Sequence, residues 1–162
     1  MKSRINWFQT NPEIVHAMSG LSTIWRKSGL EESLIDLVLM RASQINRCAH
    51  CLDMHYKDAR ASGETEQRLY SLDAWRETPY YSDRERAALA WTEAVTLVAQ
   101  DSVPDAVYEE VQQHFTEAEI VSLTLVIMDI NSWNRLNVSL RTVPGRYKSQ
   151  RKPASELNTA NS

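Results

Sequence analysis

The sequence is poor in cysteine, glycine and proline and carries no excess of positive charge. Two cysteines in 162 residues exclude the disulfide framework that holds many small secreted domains together. The four glycines and five prolines, Gly20 apart, fall between periodic segments, not inside them, which disfavours short strands joined by tight turns and favours long helices. Eighteen Lys plus Arg against twenty-one Asp plus Glu give a net charge of -3. The basic residues are scattered, so the electrostatic footprint of a nucleic-acid binder is missing. The longest apolar-dominated stretch, Ile120 to Ile130, is broken by Ser122, Thr124 and Asp129 and reaches about half of the roughly 20 residues a membrane span needs. It reads as a buried core helix, and no membrane partner is expected. The opening MKSRINWFQTNPEIVHAMSG has no continuous apolar region and no small-residue cleavage site, so the expected compartment is the cytoplasm.

What remains, 43% hydrophobic and 24% charged, fits one soluble globular domain. Asn11-Pro12 supplies a cap and a first-turn proline for a helix carrying Ile14, Val15, Met18, Leu21 and Trp25, stopped at Ser28-Gly29. A second helix runs from about Leu30 to Asn46 on Ile35, Val38, Leu39, Ala42 and Ile45. A third opens at Cys48 and closes at Ser62-Gly63. Further helices are expected over Glu66 to Arg76, from the capping box Ser82 to Glu85 through Val98, and from Pro104 through Gln113. The last runs from the capping box Thr116 to Glu119 through about Arg141. The expected fold is all-α, six or seven helices in a single domain over residues 1–145. Residues 146–162 lack hydrophobic periodicity and read as a flexible tail.

The two cysteines stand three apart, Cys48-Ala49-His50-Cys51. In a reducing compartment such a pair is a redox couple, a metal site, or two small apolar residues. At about 100° per residue, Cys48, Cys51 and His55 project at roughly 0°, 300° and 340°, on one narrow helix face. Cys48 in the first turn meets unpaired N–H groups and the positive end of the helix dipole, which stabilise a thiolate, and Arg47 offers a cation beside it. His55 can accept or return a thiol proton near neutral pH. The pair is close enough to form a disulfide, and a sulfenic acid on one sulfur would be resolved by the other.

Asp36 interrupts the apolar run Leu34 to Met40 and is a candidate for burial with a partner such as His55, the alternative being a solvated edge beside Ser43. Glu93 projects away from the apolar stripe of its helix and is a weaker candidate. His50 projects at roughly 200°, away from Cys48, and reads as a neighbouring-helix or surface contact. His16 and His114 have no partner in the sequence. Zinc could draw on Cys48, Cys51, His55 and either His50 or Asp36, but structural zinc sites usually take ligand pairs from separate loops, whereas three of these share one helix.

The stretch Leu34 to Arg60, LIDLVLMRASQINRCAHCLDMHYKDAR, resembles the central motif of the alkylhydroperoxidase D-like branch of the carboxymuconolactone decarboxylase family. Ala88 to Ala94 and Ile130 to Leu136 resemble its later blocks, and the likeness covers about residues 10 to 146. The resemblance implies an all-helical homo-oligomer, a trimer or hexamer, that reduces hydroperoxides with its thiols and uses no haem, flavin or metal. A dithiol or protein reductant is implied as partner. Cys48 and Cys51 match the family's redox pair and His55 its relay histidine, while Asp36 stands where the family usually has Glu. His50 matches a histidine found between the cysteines in some members and is a peripheral candidate, as is Glu93. By analogy with thiol pairs at a helix start, the more exposed Cys48 is expected to exchange with reductant and Cys51, next to His55, to meet peroxide. The Glu-to-Asp change shortens the carboxylate by one methylene, so contact with the relay would be lost or bridged by water. The sister activity, decarboxylation of a muconolactone, does not require the two cysteines. A redox-sensing or metal-binding oligomer without catalysis is the other alternative.

Overall fold

Helix starts are the strongest local signals in the sequence, and the computed structural model, which describes residues 2–151, places a helix behind each of them. The described residues form nine α-helices: α1 (Trp7–Thr10), α2 (Pro12–Trp25), α3 (Glu32–Ile45), α4 (Ala49–Ala61), α5 (Glu66–Ser71), α6 (Asp83–Thr96), α7 (Val98–Asp101), α8 (Asp105–His114) and α9 (Glu117–Ser139). A 3-10 segment, Leu72–Glu77, follows α5. The seven longer elements are the expected ones, and the two extra helices, α1 and α7, are single turns of four residues. The helix expected over Glu66 to Arg76 is α-helical only to Ser71 and continues as the 3-10 segment, inside which Ala74 leaves helical geometry at φ -110°, ψ 32°.

Local chemistry accounts for the ends. The Asn11 side chain accepts the Ile14 N–H at 3.4 Å, with Pro12 in the first helical position. Both expected capping boxes are formed in full, Ser82 with Glu85 and Thr116 with Glu119. Gly63, at φ 95°, takes the left-handed turn that ends α4, a conformation in which a side chain would be strained.

α3 and α9 are the two central helices. Leu34 through Met40 are all buried, so α3 serves two apolar clusters at once. Ile35, Val38, Leu39 and Ala42 pack with α6, α8 and α9, while Leu37 and Met40 pack with Leu69, Leu72, Trp75 and Leu89. Truncating a fully enclosed side chain such as Leu37 to Ala is expected to cost about 2–5 kcal/mol.

A polar seam then fixes where α4 begins. Asn46, just past α3, donates to Oδ1 of both Asn131 and Asn134 at 2.9 Å, and Asn134 donates to Ser43 Oγ at 3.1 Å. Arg47 follows in the left-handed region at φ 55°, which turns the chain sharply into Cys48. The Arg47 side chain is exposed, and no bond from it to the cysteines is present, contrary to the expectation of a cation beside the thiols.

The expected tail departs from its reading over its first six residues. Gly145 N–H donates to Asp53 at 3.0 Å, Lys57 Nζ to the Tyr147 carbonyl at 3.1 Å, and the Tyr147 hydroxyl to Asp58 at 2.8 Å. Residues 145–151 therefore form a strap along α4, held by polar side chains that hydrophobic periodicity does not register. Residues 152–162 lie outside the described residues. No helix among the described residues is long and apolar enough to cross a membrane.

Candidate active site

Cys48 is the N-cap of α4, at φ -86°, ψ 91°, and its Sγ accepts the Cys51 N–H at 3.4 Å. A sulfur in that position sits at the positive end of the helix dipole, where a thiolate is favoured. Cys48 and Cys51 are joined as a disulfide with a Cα–Cα separation of 5.4 Å. Both are 1% exposed, so the expectation that Cys48 is the more exposed sulfur is not met. Both pack in the same core cluster, and Cys51 but not Cys48 lines a cavity of about 470 Å³.

The cavity is enclosed by α1, α2, α3, α4, α9 and the strap. His55 lines it one turn beyond Cys51 and is buried, with neither ring nitrogen hydrogen-bonded. Burial lowers its pKa to about 4, against a smaller opposing pull from the Asp58 charge, so the ring is a neutral base at pH 7. Asn137 of α9 approaches the same sulfur, with Nδ2 3.7 Å from Cys51 Sγ. Burial also holds His50 below its ordinary value.

His50 lines this cavity too, beside Phe8, with ring centroids 6.2 Å apart. The projection that set it away from the cysteines took Cys48 as a helical reference, and a cap residue with extended backbone is not one. Measured from Cys51, His50 and His55 lie at roughly -100° and +40°, an arc that one broad cavity spans.

Asp36 is buried at 2% exposure, which excludes the solvated edge, but His55 is not its hydrogen-bond partner. Arg151 of the strap holds both carboxylate oxygens, at 2.5 and 2.8 Å. Burial still leaves the Asp36 carboxyl above its ordinary pKa, with the guanidinium pulling the other way. Glu93 is not in the cavity; it accepts from Arg41 and the Trp75 indole, both at 2.8 Å, and pairs with Arg76, which ties α6 to α3 and the 3-10 segment. His16 is exposed and His114 half-buried at the end of α8, away from the cavity.

Asp129, Asn137, Arg26 and Tyr147 also line the cavity, and no sequence motif singles them out. Asp129 is 1% exposed, and its Oδ2 accepts the Ser22 hydroxyl at 2.6 Å and the Trp25 indole at 2.8 Å. Its interruption of an apolar run was a usable signal. Among the described residues, five buried side-chain polar atoms have no hydrogen-bond partner: His50 Nδ1, both nitrogens of His55, Asp129 Oδ1 and Asn137 Oδ1. All belong to residues that line this one cavity. Buried polar atoms are normally satisfied, so their concentration here marks a place built for chemistry or a polar ligand. No group of three or more His, Cys, Asp or Glu among the described residues is arranged to hold a metal ion.

The helical fold thus brings a CxxC disulfide at a helix start together with a bare imidazole on one apolar cavity. The profile of the carboxymuconolactone decarboxylase family matches residues 12–94, and the chain belongs to that family, as an alkylhydroperoxidase D-like protein. The uncharacterized protein YdfG of Bacillus subtilis is 41% identical over 140 residues, covering 86% of this chain and 95% of YdfG. The crystal structure of ATU0492 from Agrobacterium tumefaciens, a protein of unknown function and candidate antioxidant defence protein AhpD, matches with a TM-score of 0.87 at 42% identity. The match covers 90% of this chain and all of that one, 100%. The debrominase Bmp8 shares the fold, with a TM-score of 0.77 at 18% identity over 86% of this chain and 75% of its own.

Proposed function

We propose that this chain is a thiol-dependent peroxidase that reduces organic hydroperoxides through Cys51 and Cys48. The observation that carries this reading is that Cys51 and the unpartnered His55 line the same apolar cavity while Cys48 is already bonded to Cys51. In the reduced protein, neutral His55 takes the Cys51 thiol proton. The thiolate attacks the terminal oxygen of ROOH: an S–O bond forms, the O–O bond breaks, and the alkoxide leaves as ROH with the proton returned by His55. Cys48 then attacks the sulfenic sulfur: the S–S bond forms, the S–O bond breaks, and the hydroxide leaves as water with the proton of the Cys48 thiol. The N-cap position of Cys48 favours its thiolate both as this nucleophile and as the leaving group when a dithiol reductant attacks Cys51 and reopens the disulfide.

No cofactor enters this cycle. Exposed Ile14, Leu21 and Ile24 on α2, with Val121 and Met128 on α9, support the reading of a homo-oligomer, for which the family resemblance implies a trimer or hexamer. A site whose disulfide must be reopened in each turnover fits the reducing cytoplasm. The test is consumption of cumene hydroperoxide by the protein with dithiothreitol as reductant. Turnover that disappears in Cys51→Ser and Cys48→Ser supports the reading. Turnover unchanged in either variant contradicts it.

A further inference from the structure

We propose that the cavity selects hydroperoxides that carry a carboxylate on an apolar body, with Arg26 and Arg146 receiving the carboxylate. The proposal rests on the peroxidase reading and names the substrate class of that site.

Size comes first. About 470 Å³ lies within the range of roughly 300–1,000 Å³ that holds drug-sized organic molecules, far more than hydrogen peroxide needs. Trp25, Leu39, Ile130 and Trp133 give the space an apolar lining. A substrate that fills it has an apolar body larger than a few carbons.

Charge comes second. Arg26, which caps the end of α2, and Arg146, which opens the strap, line this cavity from opposite ends of the chain. Neither makes a side-chain hydrogen bond or ion pair among the described residues. Arg41, Arg60, Arg68, Arg76, Arg84 and Arg151 each pair with a carboxylate, and the other arginines that do not, Arg4, Arg47, Arg86, Arg135 and Arg141, lie away from the cavity. In a chain with more acidic than basic residues, two cations on one cavity with no carboxylate partner among the described residues are a match for an anion supplied from outside. A guanidinium is suited to a carboxylate because its planar fork donates two parallel hydrogen bonds.

The Arg26 position is also built. Asp129 fixes the Trp25 indole through its N–H edge, and the Arg26 guanidinium stacks on the indole face 4.7 Å from its centroid. A buried carboxylate thus holds the platform on which the exposed cation rests. The Arg26 charge is felt inside the site, where it adds to the lowering of the His55 pKa and opposes the rise at Tyr147. Among the described residues Asp129 is the one acidic residue lining the cavity; it is 1% exposed, with two donors on its Oδ2 and none on its Oδ1.

The test compares cumene hydroperoxide with its ring 4-carboxylate, which keeps the same reacting group and body, in wild type and in Arg26→Gln/Arg146→Gln. Wild type is expected to favour the carboxylate by about tenfold in kcat/KM, mainly through KM, with the ratio falling toward one in the double variant and at high salt. A wild-type ratio of one or less, or a ratio unchanged in the double variant, overturns the proposal. A second arm uses the disulfide form, which needs no turnover: 2-naphthoate and its methyl ester are titrated against tryptophan fluorescence. Tighter binding of 2-naphthoate, lost in the double variant, supports carboxylate selection even if neither hydroperoxide is reduced, in which case the peroxidase reading alone fails. Equal binding of acid and ester overturns the proposal.

Discussion

Arg151 closes a two-pronged ion pair on Asp36, 115 residues earlier in the chain, with Nη1–Oδ2 at 2.5 Å and Nη2–Oδ1 at 2.8 Å. The carboxylate that the family resemblance set beside the relay histidine is thereby engaged by the strap, and His55 keeps both nitrogens unpartnered. The same guanidinium reaches Ser62 Oγ at 3.0 Å, so one side chain ties the strap to α3 and to the end of α4.

Replacing Arg151 with Ala leaves Asp36 buried without its counter-charge. Urea unfolding at pH 7 is expected to show a loss of about 2 kcal/mol, below the full cost of breaking an enclosed pair because Arg151 is only half-buried. Asp36→Asn in the same chain should recover part of the loss. An unchanged midpoint in Arg151→Ala would show that the pair contributes nothing to folding.

His55 makes stability depend on pH. Its folded pKa is lowered by burial to about 4 from an ordinary 6.5, so as pH falls below about 6.5 the unfolded chain takes up a proton that the folded chain refuses. Stability therefore falls between about pH 6.5 and pH 4, by about 3 kcal/mol over the full interval. His55→Gln should be less acid-sensitive than wild type by that amount. A variant that loses more stability than wild type on acidification would mean that the imidazole is charged in the folded state.

Tyr147 anchors the strap where it lines the cavity. Its hydroxyl bonds Asp58 at 2.8 and 3.0 Å, and burial, reinforced by that carboxylate, pushes its pKa up to about 12. Tyr147→Phe removes a donor from a buried acid and is expected to cost about 1–2 kcal/mol in thermal or urea unfolding. It should also speed amide exchange across residues 145–151. Exchange in the strap equal to wild type would show that the hydroxyl does not hold it.

What was legible in the sequence is what is local. Caps at Asn11, Ser82 and Thr116, the stop at Gly63 and the shared face of Cys51 and His55 all follow from residues within a turn of one another. Asp36–Arg151 was not legible, because nothing near either residue signals the other and residues 146–151 show no apolar period. His50 was misplaced because a helix projection was extended through the non-helical cap at Cys48. Asp129 and Asn137 stood eight residues apart on an apolar helix, and their meaning depends on which neighbours that helix acquires.

The proposed division of labour between the sulfurs rests on Cys51, and not Cys48, lining the cavity. After one equivalent of cumene hydroperoxide, Cys48→Ser should accumulate a sulfenic acid on Cys51 that a dimedone probe labels, and Cys51→Ser should not label. Labelling of Cys48 in Cys51→Ser, with none in Cys48→Ser, would exchange the two roles.

The central claim is that peroxide oxidises this dithiol with help from His55. The direct measurement is the free-thiol content of fully reduced protein, followed in time after one equivalent of cumene hydroperoxide, in wild type and His55→Ala. Rapid loss of both thiols is expected in wild type and much slower loss in His55→Ala. Thiols that persist in wild type as long as those of a free model thiol would contradict it, and the sensor and decarboxylase readings would take its place.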